Sequence, residues 1–374
     1  MCVVALAAGA ANADAPDPLA HVQTNAPAAI ARMMETIVPL APHVWALHAP
    51  LSSGPVPLAN ELVVEQADGL VLIDAGKTRG AGKRIVALIR RISPKPVKAV
   101  LITHWHQDHV LGLGPIVEAW PTAAIIASAG TRDAIETDES YKPTPRDPHA
   151  TAQRDHDRPE QLRKSVGSLA HYLTDPDTTP LERRNWAEVT GVLDQRIADE
   201  QGTYLVVPTV TFAGHYRIGD AQAPVEVSFV ARGHSVSESV VWLPRQRIVA
   251  PGDLVVRAPV PYLGSDLLAW PDALRRIEAL RPRIVVPGHG QIMRDTSYLD
   301  EMRTVMAEMA DDARTLQADK PGLTEDQATE AAPRSRHEAL YARDPWTRFW
   351  FRDWFSGGVA KIYAQIGASG AARP

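Results

Sequence analysis

Six consecutive positions set four metal-ligating side chains almost side by side: His104-Trp105-His106-Gln107-Asp108-His109. They follow at once on Val97–Thr103, a run predicted to be a buried strand. Alternate residues of extended backbone point to the same side, so His104, His106 and Asp108 converge, and His109 reaches in from the turn that follows. Imidazole and carboxylate are the ligand types of zinc and other borderline divalent metals. Packing gives no reason for four such groups together, because each would need its own polar partner once buried. A solvated polar loop is the competing explanation for this stretch taken alone.

Three later positions weigh against that explanation, since each lies just beyond a predicted strand. Val225–Val230 leads to Gly233-His234-Ser235, Ile248–Ala250 to Pro251-Gly252-Asp253, and Ile284–Val286 to Pro287-Gly288-His289-Gly290. Ligands at strand ends of an α/β sheet gather on one rim. The glycines beside them allow sharp turns and close backbone approach. Ser235 and Ser237 read as caps of the turn after His234. Trp105, between two candidate ligands, is expected to point away into packing.

The strands alternate with helices. His43–His48, Glu61–Glu65 and Leu70–Ile73 precede a helix over Lys83–Ile92, whose Ile85, Leu88 and Ile92 share one face; Pro94 and Pro96 stop it. Another strand covers Ile125–Ala127. Residues 131–201 change character. Tyr141–Arg158 is irregular in pattern, and helical spacing follows over Glu160–Tyr172 and Leu181–Glu200, which suggests an insertion within the domain. Strands return over Leu205–Phe212, Val225–Val230, Val240–Leu243, Ile248–Ala250 and Ile284–Val286, with a helix over Ala269–Leu280 before the last. The expected organisation is an α/β domain over 35–300 and a helical C-terminal extension over 301–374. In that extension Trp346, Phe349, Trp350, Trp354 and Phe355 form an apolar face. That face is expected to pack on the domain or on a partner subunit, with a lid as the sharper alternative. His149, His156, His171 and His215 lie outside the ligand pattern and read as surface or insertion residues.

Composition narrows the function. A net charge of −5 over 374 residues gives no bulk attraction to nucleic acid. No apolar run reaches the length of a membrane span. The single cysteine, Cys2, excludes an intrachain disulfide. Residues 1–15 combine an apolar run with Ala13-Asp14-Ala15, an A-x-A-like cleavage site. This suggests a leader and a periplasmic or secreted location; a cytoplasmic one stays open, because no Lys or Arg precedes the run.

His-x-His-x-Asp-His followed at long spacing by Gly-His, Gly-Asp and Gly-His resembles the metallo-β-lactamase superfamily over Val44–Met293. The resemblance implies a four-layer αβ/βα sandwich and two zinc ions. By it, His104, His106 and His234 would hold one ion, Asp108, His109 and His289 the other, and Asp253 would bridge them. Asp74, in Leu72-Ile73-Asp74-Ala75-Gly76, resembles a structural Asp of that superfamily, although an ordinary turn Asp explains it equally well. Asp253 stands where many β-lactamases have cysteine or serine, and an oxygen bridge is more similar to glyoxalase-II-type hydrolases and lactonases. Val110-Leu111-Gly112 replaces the usual Gly-Gly after the hexad.

The chemistry so implied is hydrolysis of a small ester, lactone, thioester or lactam by a hydroxide held between two metal ions. Asp108 would ligate and also orient the hydroxide or shuttle a proton. Tyr262, soon after Asp253, is a candidate substrate contact. A mono-iron sulfur dioxygenase on the same fold is the alternative enzyme; diiron oxidoreductases of the superfamily carry Glu where this chain has His106. A non-catalytic metal scaffold is the third reading. The expected partner is a small-molecule substrate, and a homodimer is left open.

Overall fold

Strands buried on both faces account for the architecture. In β3 (Glu61–Gln66) and β4 (Gly69–Ile73), Leu62, Val64, Val71 and Ile73 enter one core while Val63, Leu70 and Leu72 enter another. That period of two requires a layer on each side of the sheet. The computed structural model describes residues 35–48, 59–168, 183, 193–230, 232–257, 264, 266–341 and 345–371. The expected leader at 1–15, His171 and Tyr262 lie outside them.

The first sheet has seven strands in the order β1-β2-β3-β4-β5-β6-β7. β1 (Thr36–Ala41), β2 (Val44–His48), β3 and β4 pair antiparallel. β5 (Val97–Leu101), β6 (Ala124–Ser128) and β7 (Val210–Phe212) continue in parallel from β4. Helix α1 (Arg79–Ile92) makes the β4–β5 crossover. Thr78 caps it by accepting from the Ala81 amide, and Ala81, Ile85, Val86 and Ile89 form its buried face. Two short helices follow β5, α2 (Gln107–Val110) and α3 (Leu113–Ala119); α4 (Ala129–Thr137) follows β6.

The second sheet runs β13-β11-β10-β9-β8. Its strands are β8 (His215–Ile218), β9 (Val225–Phe229), β10 (Ser239–Leu243), β11 (Ile248–Ala250) and β13 (Ile284–Val285). A small parallel pair joins β12 (Val256–Arg257) to β14 (His289–Gly290). One core lies between the sheets, with Val44, Leu62, Ile73 and Leu101 meeting Val225, Val241 and Ile248. A second lies between the first sheet and α1 and α3. The third lies between the second sheet and the later helices. This is the four-layer αβ/βα sandwich.

The insertion contributes α5 (Ala152–Ser168) and α6 (Leu193–Glu200) among the described residues. The outer helical layer of the second sheet is built from α7 (Trp270–Ala279), α8 (Ser297–Asp319), α9 (Glu325–Ala331), α10 (Glu338–Tyr341) and α11 (Pro345–Ala371). Phe351, Phe355, Val359 and Tyr363 of α11 join Trp270, Met302 and Met306 in one core. Of the expected aromatic face, Phe355 packs in this core and Trp354 is buried; the side chains of Trp346, Phe349 and Trp350 lie outside the described ones. The position expected to divide domain from extension, 300–301, falls inside α8.

Other differences are local. The expected strand over Leu205–Phe212 shrinks to Val210–Phe212, because Pro208 has no amide to give a ladder. β1 and β8 escaped notice; both are partly exposed edge strands whose apolar alternation is diluted. His215 begins β8 and is exposed, so it lies on the surface and not in the insertion.

Candidate metal centre

Seven side chains, all expected from sequence, meet on one rim of the sandwich. His104, His106, Asp108 and His109 come from the β5–α2 turn and α2 itself. His234 follows β9, Asp253 lies in a single helical turn after β11, and His289 opens β14. They form two groups, His104/His106/His234/Asp253 and Asp108/His109/His289. Within each group the ligand-type atoms lie within 4.8 Å of one another.

Asp253 stands between the groups. Its Oδ2 is 3.4 Å from His234 Nε2, 3.3 Å from His289 Nε2 and 3.8 Å from His104 Nε2, while Oδ1 is 3.3 Å from His109 Nε2. His234 Nε2 lies 2.8 Å from His106 Nδ1, and His289 Nε2 lies 3.3 Å from Asp108 Oδ2. The buried atoms His104 Nε2, His109 Nε2 and Asp253 Oδ1 make no hydrogen bond among the described residues. The last two attract each other but are not aligned as donor and acceptor. Buried polar atoms without partners are costly. A cation satisfies these three together, so the residues fit a metal site.

Glycine makes the approach possible. A Cβ on Gly288 would lie 1.9 Å from Asp253 Oδ1, and Gly252 adopts φ 56° with Thr103 Oγ1 2.8 Å from where its Cβ would be. The backbone amide of Gly288 donates to the Gly252 carbonyl at 3.0 Å, locking the two loops.

A second set of contacts orients the imidazoles. Asp74, itself at φ 61°, accepts from the Thr103 amide and hydroxyl at 2.8 Å and from His109 Nδ1 at 2.9 Å. This is more than a turn Asp: it directs His109 Nε2 toward Asp253. Thr103 Oγ1 contacts His104 Nδ1 at 3.1 Å. Asn60 Nδ2 donates to the carbonyls of Pro287 and Gly290, clamping the His289 loop. The Tyr141 hydroxyl donates to the carbonyl of Trp105, whose ring packs into the outer core as expected. The Ser235 amide and Glu238 carboxylate hold the His234 turn, and Ser235 Oγ accepts from the Ser237 amide. Asn60, Tyr141 and Glu238 escaped the sequence reading, since only the fold brings them near the site.

Burial disfavours charge on every imidazole here. It holds His104 and His106 well below the usual range and pulls His234 down to about 4. Burial also opposes charge on His109 and His289, but carboxylates outweigh it. Asp253 and Asp74 lift His109 well above the ordinary value, and Asp253 with Asp108 lift His289 to about 10. Despite their own burial, Asp108 and Asp253 stay well below the usual carboxylate range because His289 and His109 face them. One group thus holds neutral imidazoles, the ligating form, while the other is an ion-paired cluster whose protons a cation would displace.

The family model for the metallo-beta-lactamase superfamily matches residues 58–289, and the chain belongs to that superfamily. The membership and the site together define a superfamily member with a candidate metal centre. The chain is 25% identical over 291 residues to a linear primary-alkylsulfatase from Pseudomonas sp. (strain ATCC 19151), covering 75% of this chain and 51% of that protein. It is 24% identical over 267 residues to a type 2 metallo-beta-lactamase from Bacillus sp. (strain 170), covering 69% and 77%. The structure of a stereoselective inverting sec-alkylsulfatase from Pseudomonas sp. shares the fold, with TM-score 0.60 at 17% identity over 91% of this chain and 52% of that one. The chain thus spans about half the length of the alkylsulfatases it resembles.

Proposed function

We propose that this protein is a binuclear zinc hydrolase acting on a small ester-type substrate. The observation that carries the reading is the position of Asp253, whose two carboxylate oxygens approach imidazoles of both groups at 3.3–3.4 Å. One carboxylate between two ligand sets suits a pair of ions. His104, His106 and His234 would hold one, Asp108, His109 and His289 the other, with Asp253 shared. Two divalent ions so held would supply a water acidified toward a pKa of about 7 and a Lewis acid for the substrate's oxygen.

The chain's own groups do the rest. Asp74 retains the His109 proton on Nδ1, leaving Nε2 as the ligand atom. Asp108 is more open than Asp253 and His289, with its side chain 23% exposed against 6% and 5%. Its carboxylate can take a proton from the attacking water and return it to the leaving group. The carboxylate of Asp253, where many β-lactamases have cysteine or serine, resembles hydrolases of esters, lactones and thioesters. Similarity to alkylsulfatases adds sulfate esters to that range, and similarity to β-lactamases keeps lactams within it.

Elemental analysis of protein purified without added metal is the first test, followed by a panel of carboxylic ester, lactone, thioester, lactam and alkyl sulfate. Two zinc per chain with hydrolysis of at least one member is expected. The Asp253→Ala variant should retain at most one ion and lose nearly all turnover. One iron per chain, or unchanged metal content and rate in Asp253→Ala, would overturn the reading.

A further inference from the structure

Of the three imidazoles in the first group, His104 and His106 leave the first sheet and His234 leaves the second. Their convergence depends on how the loop between β9 and β10 is held. One anchor lies on the second sheet's side. The Gly233 carbonyl accepts from the Asp266 amide at 3.0 Å. A Cβ on Gly233 would lie 2.7 Å from Leu254 Cδ2 and 3.1 Å from Trp270 Cγ. The Trp270 ring meets the His234 ring edge-on, with centroids 5.6 Å apart.

The other anchor comes from the first sheet. Ser128 ends β6 and caps α4, its Oγ accepting from the Thr131 amide at 3.1 Å. The same hydroxyl donates to Thr131 Oγ1 at 2.9 Å. Thr131 in turn donates its hydroxyl to the Ser237 carbonyl at 3.1 Å, 106 positions along the chain, and Ser237 Oγ lies 3.1 Å from the same oxygen. The Ser237 amide reaches back to Ser235 Oγ, beside His234, at 3.3 Å. Ser128, Thr131, Ser235 and Ser237 are all buried. Gly130 gives the loop room, since a Cβ there would stand 3.2 Å from Ser237 Cβ.

Capping accounts for Ser128 but not for the hydroxyl of Thr131. Ser128 alone satisfies the helix amide, and valine would fill the same space with no polar atom to bury. A hydroxyl withdrawn from water is costly unless bonded, and this one is bonded to the loop of a candidate ligand. A backbone link also crosses the sheets, from the Ser239 amide to the Thr103 carbonyl at 2.8 Å. It fixes the spacing of β10 and β5, whereas Thr131 acts within the turn that carries His234. We infer that Thr131, with Ser128 behind it, is a positioning residue for His234, and that this bridge tunes how tightly His104, His106 and His234 hold their ion. This rests on the binuclear reading of the site.

The test uses the full-length protein and reads metal rather than turnover. Competition with a chromophoric chelator gives the zinc affinities, and the visible spectrum of the cobalt-substituted protein reports the ligand arrangement. Thr131→Val should bind one ion about tenfold more weakly, the low end for a partner behind a ligand, and should change the cobalt spectrum while leaving the other ion at wild-type affinity. Thr131→Ser keeps the hydroxyl and should restore both readings. Gly130→Ala favours the helix yet crowds Ser237, so it should weaken the same ion with no loss of thermal stability. Unchanged affinities and spectrum in a folded Thr131→Val overturn the inference, as they do in Gly130→Ala where the valine variant does not fold. Equal weakening of both ions with a lowered melting temperature would mark a merely structural role and also overturn it. A wild-type protein that binds no zinc or cobalt would instead count against the metal reading itself, and the inference would fall with it.

Discussion

Asp74 Oδ2 lies 2.9 Å from His109 Nδ1, and the same carboxylate takes both the amide and the hydroxyl of Thr103. One residue thereby sets the orientation of a candidate ligand and the end of strand β5, from which the hexad departs. Asp tolerates the left-handed backbone it occupies here better than Ala does. Asp74→Ala should reduce zinc affinity about 10–100-fold. It should also destabilise the fold by roughly 2–4 kcal/mol, because it strands the Thr103 donors. Asp74→Asn keeps one acceptor and the backbone preference, so it should fall between. Competition with a chromophoric chelator and denaturant melts read the two effects; equal zinc affinity in all three proteins would refute the role.

Gly288 tests the closeness of the two metal-site loops. A methyl group there would stand 1.9 Å from Asp253 Oδ1, beside backbone atoms of Gly252 and Asp253 that have nowhere to move. Gly288→Ala should therefore displace the Asp253 carboxylate at a cost of about 1–3 kcal/mol. It should lower both metal content and kcat/KM, the latter by at least a hundredfold. A folded variant with two zinc and wild-type rate would show that Asp253 need not sit where it does.

The clustering of the seven candidate ligands was legible in the sequence because each follows a strand, where periodicity predicts the element and glycine marks the turn. His234, Asp253 and His289 are far apart along the chain, yet a parallel or near-parallel strand arrangement brings such ends to one rim. Asn60, Tyr141 and Glu238 carry no comparable signal. Asn60 matters because it reaches the Pro287 carbonyl, 227 positions away, and no local pattern encodes that. β1 and β8 escaped notice as edge strands, where solvent on one side dilutes the apolar alternation, and β12 and β14 because two residues are too few to show a period. The helical layer was visible as helix, but its division from the domain was not, because α8 and α11 complete the core of the second sheet.

Glu238 gives the pH dependence. It is buried beside the His234 turn; its Oε1 accepts from the Ser235 amide, while Oε2 makes no hydrogen bond among the described residues. Burial raises it from the ordinary 4.5 to about 7. A carboxyl raised in the folded state keeps a proton that the unfolded chain has released. Its contribution to stability is therefore complete below pH 4.5 and is lost as pH climbs through 7. The loss amounts to roughly 3 kcal/mol at most. Glu238→Gln keeps the acceptor and removes the titration, so the variant should gain stability over wild type at pH 8 relative to pH 5. Paired denaturant melts at the two pH values check this, and a constant difference between the proteins would refute it.

The C-terminal helix decides whether the aromatic face is a lid or part of the core. Phe351, Phe355, Val359, Ile362 and Tyr363 are all at most 4% exposed and pack against Trp270, Met302 and Met306. The Tyr363 hydroxyl also donates to the Lys320 carbonyl at 2.7 Å. Burying each large apolar side chain is worth about 1.5–3 kcal/mol. Together they match the roughly 5–15 kcal/mol by which a domain is stable. Deleting residues 344–374 should therefore yield insoluble or unfolded protein and not a soluble enzyme with altered substrate range. Expression of the truncated chain with circular dichroism and a thermal melt settles the matter. A soluble product with native-like melting and a changed ester preference would make the helix a lid.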